Sequence, residues 1–117
     1  MKVLIVDDNP QIRSLLREYL PASASDVYEC ADGSEAMLSF KKHRPDWVLM
    51  DQDMPVVDGI TAIRAIIAEF PSANICMVTA FDDDSLRDEA FAAGASGFVV
   101  KDSLYQIEGI LVSELEH

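Results

Sequence analysis

Asp7 and Asp8 close the apolar run Val3-Leu4-Ile5-Val6, and Asp51 closes a second run, Trp47-Val48-Leu49-Met50. Thr79 and Lys101 stand at the ends of two further runs. A polar group that ends an apolar strand sits on the rim of a sheet, and an open parallel sheet binds its ligands in the crevice along that rim. Three carboxylates gathered there repel one another unless a cation sits among them. They suit a hard divalent ion such as Mg2+, which takes one or two carboxylates together with water and phosphate oxygens. One hydroxyl and one ammonium suit the oxygens of a phosphoryl group. The set is complete for transferring phosphate onto a carboxylate.

Taken singly, each residue has a plainer reading. Asp7 and Asp8 could be solvated strand-end acids or helix caps, and Asp51 could cap a turn. Thr79 alone reads as an ordinary strand-end residue, Lys101 as a solvated charge and Phe98 as core packing. Asp58 and Gly59 read as the cap of a helix and the turn before it. Asp82-Asp83-Asp84 reads as a solvated loop and helix start, and His43 as an exposed helix-end residue, not a ligand. The coincidence at successive strand ends carries the chemistry, not any one residue.

The elements that must position these residues alternate along the chain. Lys2 to Asp7 is expected as a buried strand. A helix follows, with Asn9 as N-cap, Pro10 at the first position, and Ile12, Leu15, Leu16, Tyr19 and Leu20 on one face up to Pro21. Asp26 to Cys30 is a more polar strand and so an edge, and Ser34 to His43 is a helix with basic residues at its C-terminal end. Asp46 to Asp51 is the third strand. Gly59 to Phe70 is a helix with Ile60, Ile63, Ile66, Ile67 and Phe70 on one face, and Pro71 stops it. Asn74 to Thr79 is the fourth strand, Ser85 to Ala93 a short helix ending at Gly94, and Gly97 to Lys101 the fifth strand. Ser103 is expected to cap a last helix with Leu104, Ile107, Leu111 and Leu115 along one face, weakened by Gly109. This is an α/β pattern, (βα)5 with short connections. Its near-continuous apolar strands indicate a doubly wound parallel five-stranded sheet covered on both faces.

The chain has 117 residues, which fits one domain. Nine basic residues against twenty-one acidic ones give a net charge of −12, which argues against direct contact with nucleic acid or an anionic membrane. No stretch is long enough to span a membrane, and the N-terminal apolar run is too short for a secretory signal, so a cytoplasmic location is expected. Cys30 and Cys76 lack the spacing of a zinc or redox motif and are expected as buried, reduced thiols. Leu115-Glu116-His117 matches the start of a polyhistidine-tag remnant. The domain is therefore expected to cover 1–114, with 115–117 left by the tag and a longer native chain beyond.

Four stretches together, Val6-Asp7-Asp8, Asp51-Gln-Asp-Met-Pro-Val-Val-Asp-Gly59, Val78-Thr79-Ala80 and Ala93-Gly-Ala-Ser-Gly-Phe-Val-Val-Lys101-Asp102, carry a resemblance. Over essentially its whole length, the chain resembles the receiver domain of two-component response regulators. The resemblance implies a flavodoxin-like sheet of order 2-1-3-4-5 and Asp51 as the phosphoacceptor. It implies a single Mg2+ held by Asp7, Asp8, Asp51 and the backbone carbonyl of Asp53, with Asp7 acting directly or through water. Thr79 and Lys101 would bind the phosphoryl oxygens. Thr79 and Phe98 would form the switch, Phe98 swinging inward to alter the surface of helix 4, strand 5 and helix 5. The implied partners are a sensor histidine kinase or histidine phosphotransfer protein and an output domain or effector, with a homodimer through helices 1 and 5 or helices 4 and 5 left open.

Two departures bear on these implications. Many receivers place Pro after the Lys, in a cis peptide, whereas Asp102 follows here. A cis bond without Pro costs roughly 2.5–4 kcal/mol, so a trans or rearranged loop is expected. Lys-Asp at this point is similar to receivers joined to LuxR-type helix-turn-helix domains. Asp53 and Phe81, each two residues past a site residue, flank the phosphate and bear on how long it is kept. One alternative is a haloacid-dehalogenase-like phosphatase using Asp51 and Asp53, although there the acidic pair comes last in the chain and not first. Others are a phosphate-independent interaction module of receiver shape and a flavodoxin-like flavin protein, the last lacking a Ser/Thr-rich loop after strand 1.

Overall fold

Each central strand is an apolar run because both of its faces are covered. The computed structural model describes residues 1–113. It has five strands, β1 (Lys2–Val6), β2 (Asp26–Cys30), β3 (Trp47–Met50), β4 (Ile75–Thr79) and β5 (Gly97–Val100). Its helices are α1 (Pro10–Glu18), α2 (Gly33–His43), α3 (Gly59–Glu69), α4 (Asp84–Ala93) and α5 (Gln106–Ser113). The strands form one parallel sheet of order β2-β1-β3-β4-β5, as the resemblance implies. The polar strand β2 is an edge, and β3 and β4 are buried throughout.

Alternate residues of each strand feed two cores, as the pleat requires. Leu4, Val6, Val48, Met50, Ile75, Met77 and Phe98 meet α2, α3 and α4 through residues such as Phe40, Ile63, Ile66 and Ala90. Val3, Ile5, Leu49, Cys76, Val78 and Val99 meet α1 and α5 through Leu16, Ile107 and Leu111.

Helix starts follow local chemistry. Asn9 accepts from the backbone N–H of Gln11 at 2.9 Å and of Ile12 at 3.4 Å, with Pro10 next in line. Asp58 accepts from Thr61 N at 2.9 Å, and Asp83 from Ser85 N at 2.8 Å. Gly94 closes α4 in the left-handed region, at φ 114°, where a Cβ is strained.

The structure departs from the expected elements at several points. Lys101–Ser103 form a single 3-10 turn, and α5 begins only at Gln106, so Ser103 does not cap it. Leu104 is buried between the two, and this placement decides where the helix starts. Leu115 and the residues assigned to a tag lie outside the described residues. Leu15 and Tyr19 are half-exposed, because the apolar stripe of α1 is wider than its contact with the sheet. Cys76 is buried but Cys30, on the edge strand, only partly. Burial pushes their thiols up to about 12 and about 11 respectively. His43 is not simply solvated: its ring stacks on Tyr28 at 3.7 Å between centroids.

Candidate functional site

The register of the sheet brings the first two acidic ends together. Val6 pairs with Met50, and Asp51 N donates to Val6 O at 2.9 Å, so Asp7 and Asp51 leave neighbouring strands side by side. On the far side Thr79 pairs with Val100, the residue before Lys101. Asp7, Asp51 and Thr79 are the polar or charged residues buried among those described. Asp8 is exposed, at the mouth of the crevice.

Lys101 reaches across the rim. Its Nζ lies 3.1 Å from Asp7 Oδ2 and 3.2 Å from Asp51 Oδ1. Burial pushes the Asp51 carboxyl up, and Asp7 and Asp53 add to this against the pull of Lys101, for a value of about 6. Burial alone would lower Lys101, but Asp51 and Asp7 outweigh it and raise the ammonium above its usual range. One cation thus faces two buried carboxylates and leaves negative charge to be matched.

One carboxylate oxygen from each of Asp7, Asp8 and Asp51 lies within 4.8 Å of the others. All three are hard oxygen donors, the set that suits a small divalent ion. Asp7 Oδ2 supplies a sharper test. It is buried, and although Lys101 stands at ion-pair distance, no hydrogen bond is directed at it. A buried carboxylate oxygen in that condition is costly without a further cationic partner. The donor set therefore fits a metal.

The loop after β3 is held from below. Gln52 turns back to the start of α3, its carbonyl accepting from Gly59 N at 3.1 Å and its Oε1 from Ile60 N at 2.9 Å. A Cβ at Gly59 would lie 2.4 Å from Asp51 O, so Gly is required there by close approach to the backbone of Asp51 and not by its turn conformation. The Lys101–Asp102 peptide is trans, as expected for a non-proline bond.

Thr79 is buried and its Oγ1 accepts from Phe81 N at 3.3 Å, while Phe81 itself is exposed. Asp53 is exposed in the loop beyond Asp51. Phe98 is 8% exposed and already packs inward, against the α4 side of the sheet. Two supporting residues escape a reading of the sequence. Arg13 donates to Asp7 O at 2.7 Å and to Glu29 Oε1 at 2.7 Å, and Arg17 also pairs with Glu29. Burial would raise the Glu29 carboxyl, but these two guanidinium groups outweigh it and hold it below its usual range. The only sequence signal for Arg13 is a cation one turn into the helix that follows an acidic pair.

The family model of the response regulator receiver domain matches residues 3–109. The chain belongs to that family. It is 38% identical to chemotaxis protein CheY of Bacillus subtilis over 101 residues, 86% of this chain and 84% of that protein. It is 39% identical over 106 residues to the uncharacterized transcriptional regulatory protein YhcZ of Bacillus subtilis, covering 88% of this chain. The chain spans about half the length of YhcZ (49%). A chain in the crystal structure of the CheX–CheY–BeF3–Mg2+ complex from Borrelia burgdorferi superposes with a TM-score of 0.90 at 28% identity, covering 98% of this chain and 89% of that one. A LuxR-family response regulator from Aurantimonas sp. SI85-9A1 superposes with a TM-score of 0.85 at 34% identity, covering 96% and 85%.

This receiver domain is a phosphoacceptor of two-component signalling, a switch and not a true enzyme, and its Asp7/Asp8/Asp51 cluster is consistent with a metal site. Membership in the family, with the acidic pair directly after β1 and the order 2-1-3-4-5, displaces the phosphatase alternative. No described helix is long and apolar enough to cross a membrane.

Proposed function

We propose that Asp51 is the residue that accepts the phosphoryl group, taken from the phosphohistidine of a sensor kinase or a phosphotransfer protein. The observation that carries this reading is the buried crevice in which Lys101 Nζ lies 3.1 Å from Asp7 and 3.2 Å from Asp51. Asp7 is held in place, its Oδ1 accepting from Asn9 N at 2.9 Å, while its Oδ2 faces Lys101 and a cation site and not the phosphorus. The described contacts engage Asp51 through Oδ1 alone, which leaves Oδ2 to attack phosphorus. The phosphorus–nitrogen bond of the donor then breaks, and the product is an acyl phosphate on Asp51.

Asp7, Asp8, Asp51 and the main-chain carbonyl of Asp53 are the groups that would hold one Mg2+, which when bound supplies charge neutralisation for the phosphoryl oxygens. Lys101 is placed to shift from Asp51 Oδ1 to a phosphoryl oxygen without leaving Asp7. The Thr79 hydroxyl, now accepting from Phe81 N, keeps its own proton free to donate to another. Filling that role would draw Thr79 toward Asp51 and vacate the space behind it, which keeps the Phe98 ring, already inward, in that place. In this way a charge change at Asp51 reaches the surface formed by α4, β5 and α5, where an output domain or effector would read it.

Incubation with acetyl phosphate and Mg2+, followed by intact-mass analysis, tests the assignment. A single phosphoryl adduct is expected on the wild type, absent from Asp51→Asn and absent when the divalent ion is chelated. An adduct that survives Asp51→Asn would overturn the assignment.

A further inference from the structure

Arg87 stands on α4 among Asp83, Asp84 and Asp88, yet among the described residues no carboxylate lies within ion-pair distance of it. Its guanidinium carbon lies instead 5.8 Å from the ring centroid of Phe91, one turn on, and 5.8 Å from that of Phe98 on β5. A guanidinium is planar, delocalised and weakly hydrated, so it stacks on aromatic faces while its edge stays in water. Phe91 is half-exposed on the helix and Phe98 buried on the strand, so Arg87 bridges a surface ring to a core ring. Phe98 pairs with Met77, two residues before Thr79 on β4.

We propose that Arg87 is a positioning residue that holds the Phe98 ring inward by bridging it to Phe91, and so presets the switch before any phosphate arrives. The proposal rests on the reading of Phe98 as the moving part. An outward swing of the ring has to give up the cation on its face and displace a side chain anchored on Phe91. The inward place is therefore favoured by a contact from α4 that does not depend on the charge at Asp51. Losing Arg87 is expected to return the ring to control by the phosphoryl group alone.

Incorporation of 4-fluorophenylalanine gives one fluorine signal for each of the five phenylalanines, and Phe98→Leu identifies that of Phe98. Wild type, Arg87→Gln, Arg87→Lys and Phe91→Leu are then compared by 19F NMR, with and without beryllofluoride and Mg2+. In the wild type a single narrow Phe98 signal is expected, little moved by beryllofluoride. In Arg87→Gln that signal should shift or broaden, the inward-to-outward ratio falling about fivefold, the worth of one exposed cation–π contact. Beryllofluoride should draw it back. Arg87→Lys should lie between the two, and Phe91→Leu should move the signal in the same direction as Arg87→Gln through the loss of one of the two rings. A Phe98 signal in Arg87→Gln that superimposes on the wild type without beryllofluoride would overturn the proposal. A signal that moves in Arg87→Gln but is not drawn back by beryllofluoride upholds the clamp and refutes the switch role of Phe98 instead.

Discussion

Asp51 is buried beside Asp7, and in the metal-free protein its charge opposes folding. Its carboxyl sits near 6 in the folded chain against 3.8 in the open one. Between those values the folded form binds more protons, so this contribution to stability falls as pH rises through the window and is flat above it. Asp51→Asn is therefore expected to stabilise the metal-free protein at pH 8 by about 1–2 kcal/mol, less than the full shift implies because solvent at the crevice mouth screens the charge. Thermal or denaturant melts at pH 8 and pH 5 check this, and the advantage should shrink at the lower pH. Lys101→Met should do the reverse. It leaves Asp7 and Asp51 without their cation, at a cost of about 1–3 kcal/mol near neutral pH. Added Mg2+ should restore much of that loss in a melt, since the two cations answer the same charge.

The elements explain which parts of this site could be read from the chain. Apolar runs ending in Asp7, Asp51, Thr79 and Lys101 mark strands by composition alone, and Asn9, Asp58 and Asp83 mark helix starts because each cap acts within three residues. The start of α5 was hidden because Ser103 offers a local cap, while burial of Leu104 in the second core decides where the chain turns. Arg13 and Arg87 were silent for a related reason. The Asp7 carbonyl, Glu29 and the Phe98 ring are brought to them by tertiary placement, and a long cation gives no sign in sequence of where its head will rest. Two glycines show the same contrast. Gly59 faces the Asp51 backbone, where an added Cβ would lie 2.4 Å from its carbonyl oxygen, whereas Gly109 in α5 has nothing within 4 Å. Gly109→Ala is expected to stabilise the domain by about 0.5–1 kcal/mol, and Gly59→Ala to destabilise it by about 1–3 kcal/mol. Paired denaturant titrations distinguish the two.

For the molecule as a whole, a net charge of −12 loads the domain with self-repulsion and concentrates cations near its acidic crevice. Raising ionic strength from about 0.01 M to about 0.15 M shortens the screening length from about 30 Å to about 8 Å. Melting temperature of the metal-free protein should therefore rise with added NaCl, while Mg2+ affinity measured by calorimetry should fall. A melting temperature that declines with salt would contradict this balance. The repulsion also acts at close range in the crevice, where one Lys and a divalent ion together offset three acids and make Asp51 ready for a phosphoryl group. The most direct test of that assignment is chemical. The domain is treated with acetyl phosphate and Mg2+, the acyl phosphate is reduced with borohydride, and the peptides are sequenced by tandem mass spectrometry. Homoserine at position 51 alone is the expected result; homoserine at position 7, 8 or 53 would contradict it.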